Sequence, residues 1–192
     1  MGNSSPDPAR PVRRSFYARP TTEVARDLLG RNFEVRGSDA TRSVRLVEVE
    51  AYLTHDPASH AFRGPTARNR SMFLPPGTLY VFRIHQVVCA NLVTRPGEAV
   101  LLRAGAPRDD PTGNPSGPGR LCRYLGIGLA DDGIDTTQSP RAWVTVGVAP
   151  ERKLRVLSTP RVGISHAVKR RLRFSLAGDP WVSRPRPEGR AT

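Results

Sequence analysis

The sequence predicts a single α+β domain, a mainly antiparallel β-sheet with short helices packed around it. Three observations lead there. The 192 residues, 38% of them hydrophobic, suit one core of moderate size. The clearest strand runs lie at 42–52, 78–84, 87–93 and 99–104, and turn residues such as Gly37-Ser38-Asp39 and His85-Gln86 join neighbouring strands. Helical signals are short and few, and their order argues against a doubly wound sheet.

Along the chain, residues 1–14 are polar, basic and proline-rich, the composition of a disordered tail. Residues 21–30 open on Thr21 as a cap, carry apolar residues at helical spacing and stop at Gly30, which predicts a short scaffold helix. Strands at 33–35 and 42–52 form a hairpin. The polar stretch 53–76 holds His55, His60, Arg63, Arg68, Asn69 and Arg70, and a loop of that length is functional or disordered. Strands at 78–84, 87–93 and 99–104 make the sheet core. Residues 105–119, dense in Pro, Gly, Asp and Asn, read as a mobile loop before a short helix at 120–125. Strands around 143–148 and 153–157, a short helix near 165–170, a last strand at 172–176 and a flexible tail at 185–192 complete the pattern.

The formal charge of +13 calls for a polyanionic partner. Nucleic acid comes first, because neutralised phosphates release counterions without any need for sequence readout. An anionic membrane would want a long amphipathic basic helix, which the sequence lacks, and no apolar run approaches the ~18–20 residues of a span. Only Lys153 and Lys169 are lysines; the remaining positive charge is arginine, suited to bidentate phosphate contacts and to stacking on bases, although a general arginine preference would look the same. Cys89 and Cys122 make no disulfide framework and show no metal-ligand spacing, so a reducing interior is expected.

The strand Arg45-Leu46-Val47-Glu48-Val49-Glu50-Ala51-Tyr52 stands out. Period two puts Leu46, Glu48, Glu50 and Tyr52 on one face and Val47, Val49 and Ala51 on the other, with the two acids roughly 7 Å apart. Taken alone, it could be an ordinary half-solvated strand. The four histidines, His55, His60, His85 and His166, have no accompanying ligand cluster, so no metal is expected. There is no Gly-x-Ser-x-Gly elbow and no phosphate-cradling glycine loop, and Cys89 sits in an apolar strand. Acid chemistry beside aromatics remains. A carboxylate such as Glu50 can direct water at a carbon becoming cationic as a leaving group departs. Tyr52 and Phe82 offer flat surfaces to a base, with plain core packing as the alternative for each ring alone.

Several motifs in order complete the picture: residues 47–52, His60 with Arg63-Gly64, Arg68-Asn69-Arg70-Ser71-Met72-Phe73, residues 76–82, Val100-Leu101-Leu102-Arg103-Ala104, residues 117–122, Arg161-Val162-Gly163-Ile164 and Asp179-Pro180-Trp181-Val182-Ser183. Together they resemble the mammalian-type alkyladenine (3-methyladenine, methylpurine) DNA glycosylases over nearly all of 16–183. The resemblance implies a curved sheet similar to the formyltransferase C-terminal-domain-like fold and a glycosylase domain at 15–184. It also implies that Glu50 activates the attacking water, that Arg103 helps position it, and that Tyr52 and His60 sandwich and orient the base. Phe82 falls where the family has a third pocket tyrosine, so stacking is kept and a hydroxyl lost. Asn91, aligned across a one-residue gap, matches the asparagine that disfavours guanine, and His85 falls at the wedge that fills the space of the flipped nucleotide. Arg68 and Arg70 are expected on the DNA backbone, while the 105–119 loop is shorter and less basic than its counterpart.

The expected enzyme is a base-excision repair hydrolase that flips alkylated or deaminated purines (3-methyladenine, 7-methylguanine, hypoxanthine, ethenoadenine) from double-stranded DNA and hydrolyses the N-glycosidic bond. It is expected to be monomeric, to need no cofactor, and to work in the cytoplasm or nucleoid of a bacterium. Extrusion is easiest for a base whose pairing or stacking is already weakened. Alkylation makes the base cationic and favours it between electron-rich rings. No lysine lies in the motif region, which argues against Schiff-base chemistry and strand cleavage. The competing readings are a non-catalytic basic domain that recognises damaged nucleic acid and a hydrolase of other glycosides or nucleosides.

Overall fold

The computed structural model describes residues 10–146 and 154–186. Its elements, in order, are α1 (Arg14–Tyr17), α2 (Thr21–Leu28), β1 (Asn32–Arg36), β2 (Thr41–Tyr52), a 3-10 turn at Arg70–Phe73, β3 (Leu79–Ile84), β4 (Val87–Arg95), β5 (Glu98–Pro107), α3 (Pro118–Leu125), a 3-10 turn at Leu129–Asp131, β6 (Ala142–Val144), β7 (Val156–Thr159) and β8 (Arg173–Leu176). The strands form one curled antiparallel sheet in the order β3-β4-β5-β2-β1-β6, with β8 added to β2 and β7 to β8. This is the α+β class expected.

Strand β2 is the spine of the sheet. One of its edges is covered by β5 from Val44 to Tyr52, and the other is shared by β1 at its start and β8 at Glu48–Glu50. Covered on both edges, β2 is fully buried at Val44 and from Leu46 to Ala51, which overturns the half-solvated alternative. Its alternation is also broken. Leu46 pairs with Gly105, Glu48 with Ala104 and Val49 with Leu102, so Val47 and then Arg103 are the extra residues of two opposed irregularities. Leu46 therefore joins Val47, Val49 and Ala51 in the main core instead of sharing a face with the acids.

A second, smaller apolar cluster of Ala61, Met72, Tyr80, Val93 and Ala99 lies at the β3–β4–β5 end, with Tyr52, Phe73 and Phe82 half-buried against it. It supports one wall of the site.

Helix α2 starts on Pro20 as its N-cap, and Thr21 makes no cap bond. The Thr21 hydroxyl is drawn instead to Thr94 at 2.8 Å and to Glu98, tying the helix to the β4–β5 hairpin. Residues 10–14 of the expected tail are docked, with the Val12 N–H donating to Val144 O at 2.8 Å. Gly105 belongs to β5, where a Cβ would come within 2.6 Å of Val44 Cβ. The loop beyond it is pinned, because the Tyr124 hydroxyl donates to Asp109 at 2.8 Å and Ser116 bridges to Ala104. Residues 165–170 make turns in place of the expected helix, with Ala167 at φ 50. Strand β6 ends at Val144, with Thr145 in an isolated bridge to Pro11, and β7 begins at Val156, so both are shorter than the expected 143–148 and 153–157; residues 147, 148 and 153 of those spans lie outside the described residues, as do 1–9 and 187–192.

Candidate active site

Three segments enclose a cleft of about 630 Å³: the 52–60 loop, the β3–β4 hairpin and the 162–166 turn. Tyr52, His60, Phe82, His85, Asn91 and Arg103 all line it. Glu50 lies fully buried beside Tyr52 and Arg103. Arg68 and Arg70 do not line the cleft; they are exposed on either side of buried Asn69.

Glu50 is held from three sides. Its Oε2 accepts from the Tyr52 hydroxyl at 3.0 Å, its Oε1 accepts from the Val162 N–H at 2.9 Å, and Arg103 Nη1 stands 3.3 Å from that Oε1. Burial, reinforced by the Glu50 charge, raises the Tyr52 pKa, so the hydroxyl stays a donor. Burial alone would lower the Arg103 pKa; Glu50 and Glu48 more than offset it and hold the guanidinium charged.

Glu48, two residues back, gathers four donors: Arg103 Nε at 2.9 Å, Arg173 Nε at 2.7 Å and the Ser183 hydroxyl at 2.9 Å on Oε1, with the Ser183 N–H at 2.6 Å on Oε2. A buried carboxylate needs such partners to stay ionised away from water. The two acids, which would repel if bare, share the Arg103 guanidinium, and Arg173 adds a second positive charge at Glu48. The bulge that makes Arg103 the extra residue of β5 is what lets one guanidinium reach both.

The aromatic wall is built on β3. Tyr80 and Phe82 stack with ring centroids 5.4 Å apart, and His60 meets Phe82 edge-on at 4.3 Å. His60 Nδ1 is 3.0 Å from the Tyr80 hydroxyl. Part of the residue faces solvent, yet desolvation of the ring against this wall lowers its pKa and favours the neutral imidazole. The resemblance implied a hydroxyl lost at Phe82; Tyr80, one alternation earlier, brings a hydroxyl to the same wall. Asn91 pairs with Tyr80 across the hairpin, and its amide donates to Tyr80 O at 3.1 Å, which fixes which end of the side chain is free.

At the hairpin tip the two-residue turn puts His85 at φ 51, a left-handed conformation that costs a residue with a Cβ. Ile84 and Val87, which flank the turn, are exposed. Strain and exposed hydrocarbon at one tip are expected of a functional projection, not of packing.

Several site residues carry no sequence signal of their own. Asn69 sits inside one of the ordered motifs, but only the structure shows its amide donating to His60 O at 2.8 Å and Gly64 O at 3.1 Å, which anchors the His60 loop. Arg161 and Asp56 form a fully buried ion pair across 105 positions, and the Arg161 guanidinium lies 4.5 Å from the Tyr52 ring centroid. The pocket rings are therefore not uniformly electron-rich, since one of them is backed by a cation. Arg173 and Ser183 reach Glu48 from β8 and from beyond it. Among the described residues no group of three or more His, Cys, Asp or Glu could hold a metal, and no helix is long and apolar enough to cross a membrane.

The family model described as methylpurine-DNA glycosylase matches residues 15–180. Three relatives carry the name "Putative 3-methyladenine DNA glycosylase". The one from Methanoculleus marisnigri is 42% identical over 88% of this chain and 97% of its own. That from Anaeromyxobacter dehalogenans (strain 2CP-1) is 43% identical over 90% and 85%, and that from Rhizobium johnstonii 38% over 90% and 89%. These relatives are bacterial and archaeal and give no support to a mammalian type. With a family model spanning most of the chain and the relatives matched along nearly all of it, the chain belongs to the methylpurine-DNA glycosylase family and is a DNA-repair glycosylase.

Proposed function

We propose that this glycosylase acts as a monofunctional monomer on duplex DNA in the cytoplasm or nucleoid of a bacterium. Its domain, 15–184, flips alkylated or deaminated purines (3-methyladenine, 7-methylguanine, hypoxanthine and ethenoadenine) into the cleft and leaves an abasic site. One observation carries this reading: Glu50 is gripped by Tyr52, Val162 and Arg103, and all three are also walls of the cleft. The acid is thereby fixed against the place where a flipped base would stack.

In the mechanism, the base enters between Tyr52 and the Tyr80–Phe82–His60 wall. As the N-glycosidic bond breaks, its electron pair leaves with the base and the sugar carbon becomes cationic. Glu50 offsets that charge and orients a water, whose oxygen bonds to the carbon as its proton passes to the carboxylate. Arg103, charged and fixed by Glu48, positions the water and the carboxylate together. Asn91, its amide held on Tyr80 O, meets the base edge and disfavours a normal guanine by leaving no room for the exocyclic amine. His85 and its apolar neighbours fill the gap in the duplex, while Arg68 and Arg70 contact phosphates. Of the two lysines, Lys169 is exposed on the turn beyond the cleft and Lys153 lies outside the described residues, and neither amine has a part in the mechanism.

The test is Glu50→Gln. The variant should hold damaged duplex as tightly as the parent while release of methylated purine, read as alkali-dependent strand cleavage, collapses. Retained release would remove Glu50 from the chemistry; cuts without alkali would overturn the monofunctional claim.

A further inference from the structure

The buried pair behind Tyr52 has no part in the mechanism above. Arg161 is inaccessible, its Nη2 donates to Asp56 Oδ1 at 2.9 Å, its Nη1 donates to Asp56 Oδ2 and to Ala51 O at 3.0 Å, and its Nε has no hydrogen-bond partner among the described residues. The guanidinium lies over the Tyr52 ring, and Arg161 is not among the residues that line the cleft. Ala51, whose carbonyl it holds, lies between Glu50 and Tyr52.

A ring binds a cation through its negative face, and a guanidinium on one face opposes a second cation on the other. A base stacked on the cleft face of Tyr52 would sit about 8 Å from this guanidinium, adding one stacking distance to the contact behind. Asp56 is engaged by the Nη atoms and offsets only part of the positive potential. We propose that Arg161, tempered by Asp56, sets the charge selectivity of the pocket, weighting it toward neutral damaged purines such as hypoxanthine and against cationic ones such as 7-methylguanine. The inference rests on the glycosylase reading and adds to it a residue that chooses between lesion classes.

Two variants should move that choice in opposite directions, a result that loosened packing would not give. Replacing the pair by hydrocarbon, Arg161→Met with Asp56→Leu, removes the positive potential. Asp56→Asn keeps the cation and removes its counter-charge. Single-turnover release is measured from two duplexes that differ only in carrying hypoxanthine or 7-methylguanine. The ratio of the two rates is independent of the folded fraction and cancels the intrinsic lability of each lesion between variants.

The hypoxanthine-to-methylguanine ratio should fall roughly three-fold or more in the double variant and rise by a similar factor in Asp56→Asn, the size of a partly screened charge at that distance. If the double variant does not fold, the Asp56→Asn arm decides alone. An unchanged ratio, or one that moves the same way in both variants, overturns the proposal while leaving the glycosylase reading intact. Release of neither base by the parent enzyme overturns that reading itself.

Discussion

Arg103 and Glu48 are joined by an Nε–Oε1 bond of 2.9 Å between side chains 8% and 0% exposed, on adjacent strands at a point where the ladder is irregular. Arg103 is therefore not a flexible surface arginine that happens to face the cleft. Its Nε is engaged by Glu48 and its Nη1 by Glu50, so the orientation of the guanidinium is set by Glu48 as much as by Glu50.

Glu48→Gln tests this. Breaking a buried ion pair by neutralising one partner costs about 3 to 5 kcal/mol, and here two arginines lose their common counter-charge. The urea midpoint should drop accordingly, and the folded remainder should excise more slowly at saturating DNA. Stability within about 1 kcal/mol of the parent would show that Glu48 does not hold the site.

His85→Gly separates strain from use. Glycine relieves the φ 51 backbone, so equilibrium unfolding should show a gain of about 0.5–1 kcal/mol. Base release from duplex DNA should fall while release from single-stranded DNA changes little, since only a duplex has a gap to fill. Equal losses on both would remove the wedge role.

Arg68→Gln with Arg70→Gln should leave thermal stability unchanged, both side chains being exposed, and weaken duplex binding. A plot of log K against log salt should become shallower by about 0.9 for each phosphate that is no longer neutralised. An unaltered slope would move the DNA track elsewhere.

Burial pushes the thiols of Cys89 and Cys122 up to about 11 and about 12 from their ordinary 9.0. Both should resist thiol reagents at neutral pH until the protein unfolds. Because the folded state holds these protons more tightly than the unfolded one, their contribution to stability is complete below about pH 9 and is lost as pH rises through 11 and beyond. Rapid labelling of the native protein at pH 7 would contradict this.

How much of the fold and site is legible in the sequence differs by residue. The strands at 78–84 and 87–93 are readable because their apolar runs and two-residue turn are local facts, and the structure returns them within a residue or two. The cap expected at Thr21 does not form because a better set of partners, Thr94 and Glu98, is supplied by distant chain. The helix expected at 165–170 fails where Ala167 turns left-handed.

By itself the sequence determined the sheet-forming runs and the net charge of +13 that calls for a polyanion, while the resemblance carried by its ordered motifs implied that Glu50, Tyr52, His60 and Arg103 share one site. The runs and the charge are properties of residue type and spacing. Only the tertiary structure decided which charges neutralise which. Arg103 reaches Glu48 because two opposed irregularities bring it there, Ser183 closes on the same carboxylate from 135 positions away, and Arg161 backs Tyr52 because Asp56 draws it inside. Buried charges choose partners by through-space distance, and distance is set by the completed sheet.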